Sequence, residues 1–437
     1  MPEIQPFRGV RFDLAKVGDL SSVVAPPYDV IGPELQEILY NASPYNVIRL
    51  ELNREEPGDA PGLDRYTRAA SFLKEWRRAG ILSEDPHPSL YVYHQTFEVN
   101  GESLTRKGFL ARVRLEPFGT GRIFPHEQTL AGPKADRLSL YRATGMNLSP
   151  IFGLYPDTEN EVLRAVESGI KDRTPLESTD HLGVVNRLWP VNHAQTLSIA
   201  SGLIGGKPVF IADGHHRYET GLAYRDELAA KGELSGPDDP ANFCLMMLVS
   251  MSDPGLLILP THRLVSNLAN LTGDLLKERL QTEFDVVETG TGEVGAKAAW
   301  EEIESGGQQD VLGFGTVKDN RWFTARLRSD VTMDAIVPDH SPEWRSLGVS
   351  ILHELVLGKL LKADGSPTCK YVHLLNEVLD STTRKECDLA CLVPPAGMSD
   401  VESIASNLEK MPPKSTYFYP KLLTGLVLNP LKAVSHR

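Results

Sequence analysis

Residues 208–232, PVFIADGHHRYETGLAYRDELAAKG, and FCLMMLVSM at 243–251 decide the fold. PVFIA is a short apolar run of the kind a buried strand makes. Asp213 and Gly214 supply turn chemistry. Beyond them Tyr218 and Leu222, and Tyr224 and Leu228, recur at the helical i, i+4 spacing. FCLMMLVSM is a second buried strand, with Cys244 in the core. Strand, turn, helix and strand in that order predict a right-handed βαβ unit.

Strand-like and helix-like segments alternate on both sides of it. FRGVRFDL and YNVIRLEL read as strands, and DRYTRAASFLKEWRRAGIL as a helix with Ala69, Phe72, Leu73 and Trp76 on one stripe. SLYVYHQTFEV and LTRKGFLARVRLE flank Asn100-Gly101, a two-residue hairpin signal. In the last third, VLGFGTV, WFTARLR and ACLVPP alternate with helical VGAKAAWEEIES and SLGVSILHELVLGKLL. Ser399 and Glu402 have capping-box spacing for another helix. The expected class is α/β, with an α+β mixed sheet, in two domains, 1–268 and 269–437.

The 437 residues include 45 Lys and Arg against 58 Asp and Glu, a formal charge of −13. A protein that coats nucleic acid or anionic membrane needs the opposite excess, so neither partner is expected. The four cysteines form no CxxC pair, which argues against structural zinc and a disulfide framework. With no leader-like segment and no long apolar run, the expected compartment is the cytoplasm.

ADGHHRYET, 212–220, carries the strongest chemistry. A helix N-terminus presents unpaired N–H groups and a partial positive charge. Gly214 permits close approach to the backbone, and Arg217 brings a fork of donors suited to phosphate oxygens. Asp213, Gly214, His215, His216 and Arg217 therefore read as a phosphate site, with Asp213 positioned to hold a divalent cation. The plainer alternative makes Asp213 an N-cap and the histidines surface groups.

A second constellation, 123–155, gathers His126, Glu127, Thr129, Lys134, Asp136, Arg137 and Asn147 in a stretch of weak periodicity, read as a functional loop. His126 and Glu127 are candidate general bases, and Lys134 and Arg137 could stabilise a transferring phosphoryl group. A solvated loop of internal ion pairs is the alternative. Tyr28 and Asp29, Glu51 at a strand end, and His262 with Arg263 are weaker candidates. Lys414, Ser415 and Thr416 lack the glycines of a Walker A loop, and no GxSxG or HExxH occurs.

Taken together, APPYDVI, SPYNVIRLE, HEQT, KADRLSLYRAT, NLSPIFGLY, FIADGHHRYETGLAYR, PTHR and MPPKSTYFYPKLLTGLV resemble the bacterial family known as domain of unknown function 1015. DGHHR in turn resembles the phosphate motif of the ParB/sulfiredoxin superfamily, which includes kinases of free L-serine. The resemblance implies a ParB/sulfiredoxin-like core with a second α/β domain. It places nucleotide phosphates on Asp213–Arg217 and a separate carboxylate as base, Glu127 first and Glu51 second. A histidine stands where sulfiredoxin has its reactive cysteine, so that chemistry is not expected.

The function this implies is a small-molecule kinase using Mg2+ and ATP or ADP to phosphorylate a free amino acid hydroxyl, L-serine foremost. The expected partners are a nucleotide and a small substrate. Two alternatives stand beside it: a nucleotide-binding regulator without turnover, and a phosphatase or phosphotransferase on a phosphoserine-like metabolite.

Overall fold

The computed structural model describes residues 2–127, 129, 131–268, 270–362 and 366–432. The chain gathers into two compact units. The first comprises the residues up to Pro125, Thr129–Leu256 and the segment from Pro420; the second comprises His126–Gln128 and Leu257–Tyr419.

In the first unit the elements that matter are β1 (Ile4–Gln5), α1 (Ile48–Glu51), α2 (Arg65–Arg78), β2 (Leu90–Val99), β3 (Glu102–Arg114), β4 (Ile123–Phe124), α3 (Ala131–Thr144), β5 (Ile151–Tyr155), β6 (Leu176–Thr179), β7 (Val185–Val191), α4 (Ala194–Gly205), β8 (Val209–Asp213), α5 (His215–Ala230) and β9 (Phe243–Ser250). The strands form one mixed sheet in the order β4-β8-β5-β9-β3-β2-β7-β6, with β1 alongside β3. The fold is mixed α/β.

The β2–β3 hairpin forms as its turn requires, with Asn100 at φ 53° and Gly101 at φ 81°. Helix α2 buries Ala69, Leu73 and Trp76 and opens on Asp64, whose carboxylate accepts from the Tyr66 and Thr67 amides. Every residue of β9 is buried, which explains its unbroken apolar run. Cys244, Met246 and Leu248 join one core cluster with Tyr218 of α5 and Ile204 of α4.

The βαβ reading is corrected. Strand β5 lies between β8 and β9, antiparallel to β8 and parallel to β9, so β8 and β9 are neither neighbours nor parallel. A handedness rule for parallel crossovers therefore has nothing to act on here. Residues 48–51 are a short helix rather than a strand. Asn46 explains this: its Oδ1 accepts from the Ile48 amide, and its Nδ2 donates to the carbonyls of Ser22 and Val24, each at 2.9 Å. The middle of the stretch read as an irregular loop, Ala131–Thr144, is helix α3, whose Arg137, Leu140 and Tyr141 share a buried face.

In the second unit the main elements are β10 (His262–Ser266), α6 (Gly273–Leu280), β11 (Phe284–Thr291), α7 (Gly292–Gly306), β12 (Val311–Thr316), β13 (Arg321–Leu327), β14 (Thr368–Val372), α8 (Leu375–Thr383), β15 (Leu389–Leu392) and α9 (Met398–Ser406). Its six strands pair antiparallel throughout, in the order β11-β13-β12-β15-β10-β14. Successive residues face opposite sides: Leu264 packs with Ala299, Trp322 and Val378, whereas Val265 packs with Phe314, Leu352 and Val401. The 399–402 capping box is corrected too. Helix α9 starts at Met398, and Asp400 accepts from the Gly397 amide at 2.8 Å. No helix among the described residues is long and apolar enough to cross a membrane.

Candidate functional site

Asp213 ends β8 just past a register shift in its pairing with β5. The N-cap of α5 is Gly214, at φ 89°, so Asp213 is not the cap. That left-handed conformation favours glycine, and a side chain there would also meet Arg217: a Cβ would stand 2.9 Å from its Nε and 3.0 Å from its Nη2. The guanidinium thus folds back over the start of the helix.

Arg217 is 2% exposed. Its Nη2 donates to Asp213 Oδ2 at 3.0 Å, and its Nη1 to the Pro150 carbonyl. Its buried Nε has no hydrogen-bond partner among the described residues. Lys421 Nζ donates to the other Asp213 oxygen, Oδ1, at 3.2 Å. Burial works to raise the Asp213 pKa, but the charges of Lys421 and Arg217 overcome it and hold the carboxyl well below its usual range. His215 is buried and His216 half-buried in the same first turn.

The two residues before β5, Ser149 and Pro150, tie this turn to a second polar group. Ser149 Oγ donates to Glu51 Oε1 at 2.9 Å. Arg137 Nη1 donates to the same oxygen at 3.1 Å and to the Glu51 carbonyl at 3.0 Å. Glu51 and Arg137 are each 2% exposed. Asp136 holds the far side of Arg137 at 2.6 Å, and Arg65 holds Asp136 at 2.7 Å. The Arg137 guanidinium lies 4.1 Å from the centre of the Tyr28 ring. Burial, with Asp29 adding its charge, pushes the Tyr28 hydroxyl well above its usual range. Burial also works against the charge of Arg217, but Asp213, Asp29, Tyr28 and Glu51 together outweigh it and raise its pKa. One field therefore spans both groups.

The predicted residues separate. Asp213, Gly214, His215, His216 and Arg217 stay together in the first unit, and Glu51 joins them electrostatically. Lys134 pairs with Glu219 at 2.7 Å, which also accepts from Thr129, so its charge is already committed to α5. Asn147 is structural: its Oδ1 accepts from the Leu245 amide and from Asn429. His126 and Glu127 belong to the second unit, where the Met411 amide donates to the His126 carbonyl at 2.7 Å. There His126 Nε2 lies 3.0 Å from Thr416 Oγ1, and the Lys414 amide donates to Glu127 at 3.4 Å. Arg263 is also in that unit, bonded to the carbonyls of Thr261 and Lys414 and to His353.

Sequence reading missed Ser149 and Lys421. Ser149 stood inside the quoted NLSPIFGLY, next to a proline that fixes the backbone. Lys421 has no local signal. As for a metal, no group of three or more His, Cys, Asp or Glu side chains among the described residues could hold one. Both oxygens of Asp213 carry cations, Arg217 on Oδ2 and Lys421 on Oδ1.

Site and fold together describe a mixed α/β protein with a polar, cation-rich turn at the end of a central strand. The chain belongs to the family described as protein of unknown function (DUF1015), whose model matches residues 4–350. No curated protein matches it. Solved structures similar to it include a mutant free serine kinase in complex with AMP, with a TM-score of 0.37 and 12% identity over 71% of this chain and 89% of that one. A conserved hypothetical protein from Pyrococcus furiosus has a TM-score of 0.33 and 14% identity over 69% and 89%. SbnI from Staphylococcus aureus, truncated at its C-terminus, has 0.33 and 11% over 74% and 87%.

Proposed function

We propose that this protein is a small-molecule phosphotransferase that moves a phosphoryl group from ATP or ADP to a hydroxyl of a free amino acid, with L-serine the first candidate. The observation that carries the reading is the Asp213–Arg217 turn: a glycine-opened helix start with a buried guanidinium N–H directed over it. Glu51 lies in the same unit as Arg217 and its charge acts on it, and it takes the role of base in preference to Glu127. Ser149 and Arg137 would fix its orientation. Catalysis would rest on positioning and charge stabilisation, as phosphoryl transfer requires little covalent help from protein. Mg2+ would arrive bound to the nucleotide and supply charge neutralisation on the phosphates, with Asp213 left to its two cations.

The test is incubation of the purified chain with Mg2+, ATP or ADP, and a panel of hydroxyl amino acids, with phosphorus NMR and mass spectrometry for O-phosphoserine and its relatives. Absence of a phosphorylated product with either nucleotide across the panel overturns the reading. One observation favours the regulator instead. Glu51 Oε1 already accepts from two side chains, as a structural carboxylate does. Nucleotide binding without product would select that alternative.

A further inference from the structure

The segment that delivers Lys421 lies outside residues 4–350, the part matched by the family model, yet it packs into the first unit. Its backbone is held from below by an unusual group. Arg106 Nη2 donates to the Pro420 carbonyl at 2.5 Å and to Gln95 Oε1. Gln95 Nε2 donates to the Lys421 carbonyl at 3.1 Å and to Asn186 Oδ1 at 3.0 Å. Tyr93 completes the network, donating to Asn186 Oδ1 at 2.6 Å and accepting from the Leu423 amide at 3.3 Å.

Arg106 is 0% exposed, and its guanidinium lies 4.6 Å from the centre of the Phe152 ring. Its burial lowers its pKa to about 10, against the charges of Tyr93, Asp253 and Asp213. Burying a guanidinium this completely is costly. What the fold gains is a fixed backbone at residues 420–421 and a third positive charge near Asp213. Arg217 adds a buried N–H without a hydrogen-bond partner among the described residues, folded over Gly214. Arg217 and Lys421 both bond to Asp213, and the buried Arg217 Nε–H at the helix start has no acceptor among the described residues.

We propose that Lys421 is a ligand-binding residue that closes the Asp213–Arg217 turn around a phosphate-bearing anion of the diphosphate class, and that Arg106 is its positioning residue, acting through Pro420 and Gln95. The ligand class rests on the phosphotransferase reading; the roles of Lys421 and Arg106 do not require turnover. Lys421 reaches the anion from the side of the carboxylate, and Arg217 from the helix side.

The experiment uses the full chain and inorganic pyrophosphate, with binding measured by calorimetry and by the shift in thermal unfolding. Wild type binds. Lys421→Ala weakens binding at least tenfold and lowers the ligand-free melting temperature, because it takes one cation from Asp213; Lys421→Arg restores both, binding to within a few-fold. Arg106→Met weakens binding as Lys421→Ala does, and the double variant is no weaker than Lys421→Ala alone. That non-additivity separates positioning from a general loss of structure. Equal binding by wild type and Lys421→Ala, or no binding by wild type, overturns the role of Lys421. Additive losses overturn that of Arg106. Pyrophosphate binding as described, with no turnover on any amino acid, overturns the phosphotransferase reading and leaves this one standing.

Discussion

Lys421 Nζ lies 3.2 Å from Asp213 Oδ1 across 208 residues of sequence. With Arg217 on the other oxygen, Asp213 is ionised in the folded state and held there by two cations. Its folded pKa lies below the unfolded value of about 3.9. The sign follows: the stability it contributes is present above about pH 4 and is lost as the pH falls through the folded value. Asp213→Asn should lower stability at pH 7 and flatten the acid limb below pH 4. Urea unfolding at pH 3, 4 and 7 checks this; an unchanged acid limb would refute it.

Glu51 and Glu127 are separable by substitution. Glu51→Gln should abolish phosphoryl transfer with a modest stability loss, because the amide oxygen still accepts from Ser149. Glu51→Ala should cost about 1.5–3 kcal/mol, since it strips a buried charged hydrogen bond from Arg137. Glu127→Gln should leave transfer intact. Single-turnover assays and denaturant unfolding decide; loss of transfer in Glu127→Gln with activity in Glu51→Gln would reverse the assignment.

Gly214→Ala tests the turn itself. At φ 89° an alanine is strained, and its Cβ would push against the Arg217 guanidinium. The expected cost is about 1–3 kcal/mol with loss of pyrophosphate binding. A melting temperature and a binding constant equal to those of wild type would show that the turn accepts a side chain.

The second unit should respond to a different pH range. Burial, with the charges of Arg263 and His373, pulls His262 down to about 3, and the Val393 amide donates to its Nδ1 at 3.3 Å. His262 is therefore neutral in the folded state, and its unfolded pKa is about 6.5. Stability is full above pH 6.5 and declines as the pH falls toward 3, by up to about 1.4 kcal/mol per pH unit. His262→Gln should lessen that slope. Equilibrium unfolding followed by Trp fluorescence between pH 7 and 4 measures it, and an unchanged slope would rule His262 out as its source.

What the sequence disclosed and what it hid have physical causes. The Asn100-Gly101 hairpin and the Ala69, Leu73, Trp76 stripe are local signals, and both formed as read. Strand β9 was legible because both its faces are buried. Pairing partners were not, since nothing in β8 or β9 encodes the insertion of β5 between them. Asn46 overrode the strand-like composition of NVIRLEL through bonds to residues some twenty positions earlier. The DGHHR turn announced itself by chemistry that a helix start makes useful. Lys421 could not be found that way, because its importance lies wholly in tertiary placement.

The terminal segment does more than carry Lys421. Leu428 exchanges backbone bonds with Val10, Thr424 with Ala25, and Asn429 bonds to Asn147. The ribosome makes these residues well after the strands they join. At roughly 5–20 residues per second, some 10–30 s separate the appearance of β9 from that of Pro420. Over that interval the nascent first unit has its sheet without the strap that bonds to Val10 and Ala25. A chaperone has an opportunity there, and a nonsense mutation between β9 and Pro420 would release a protein whose first unit had never been closed.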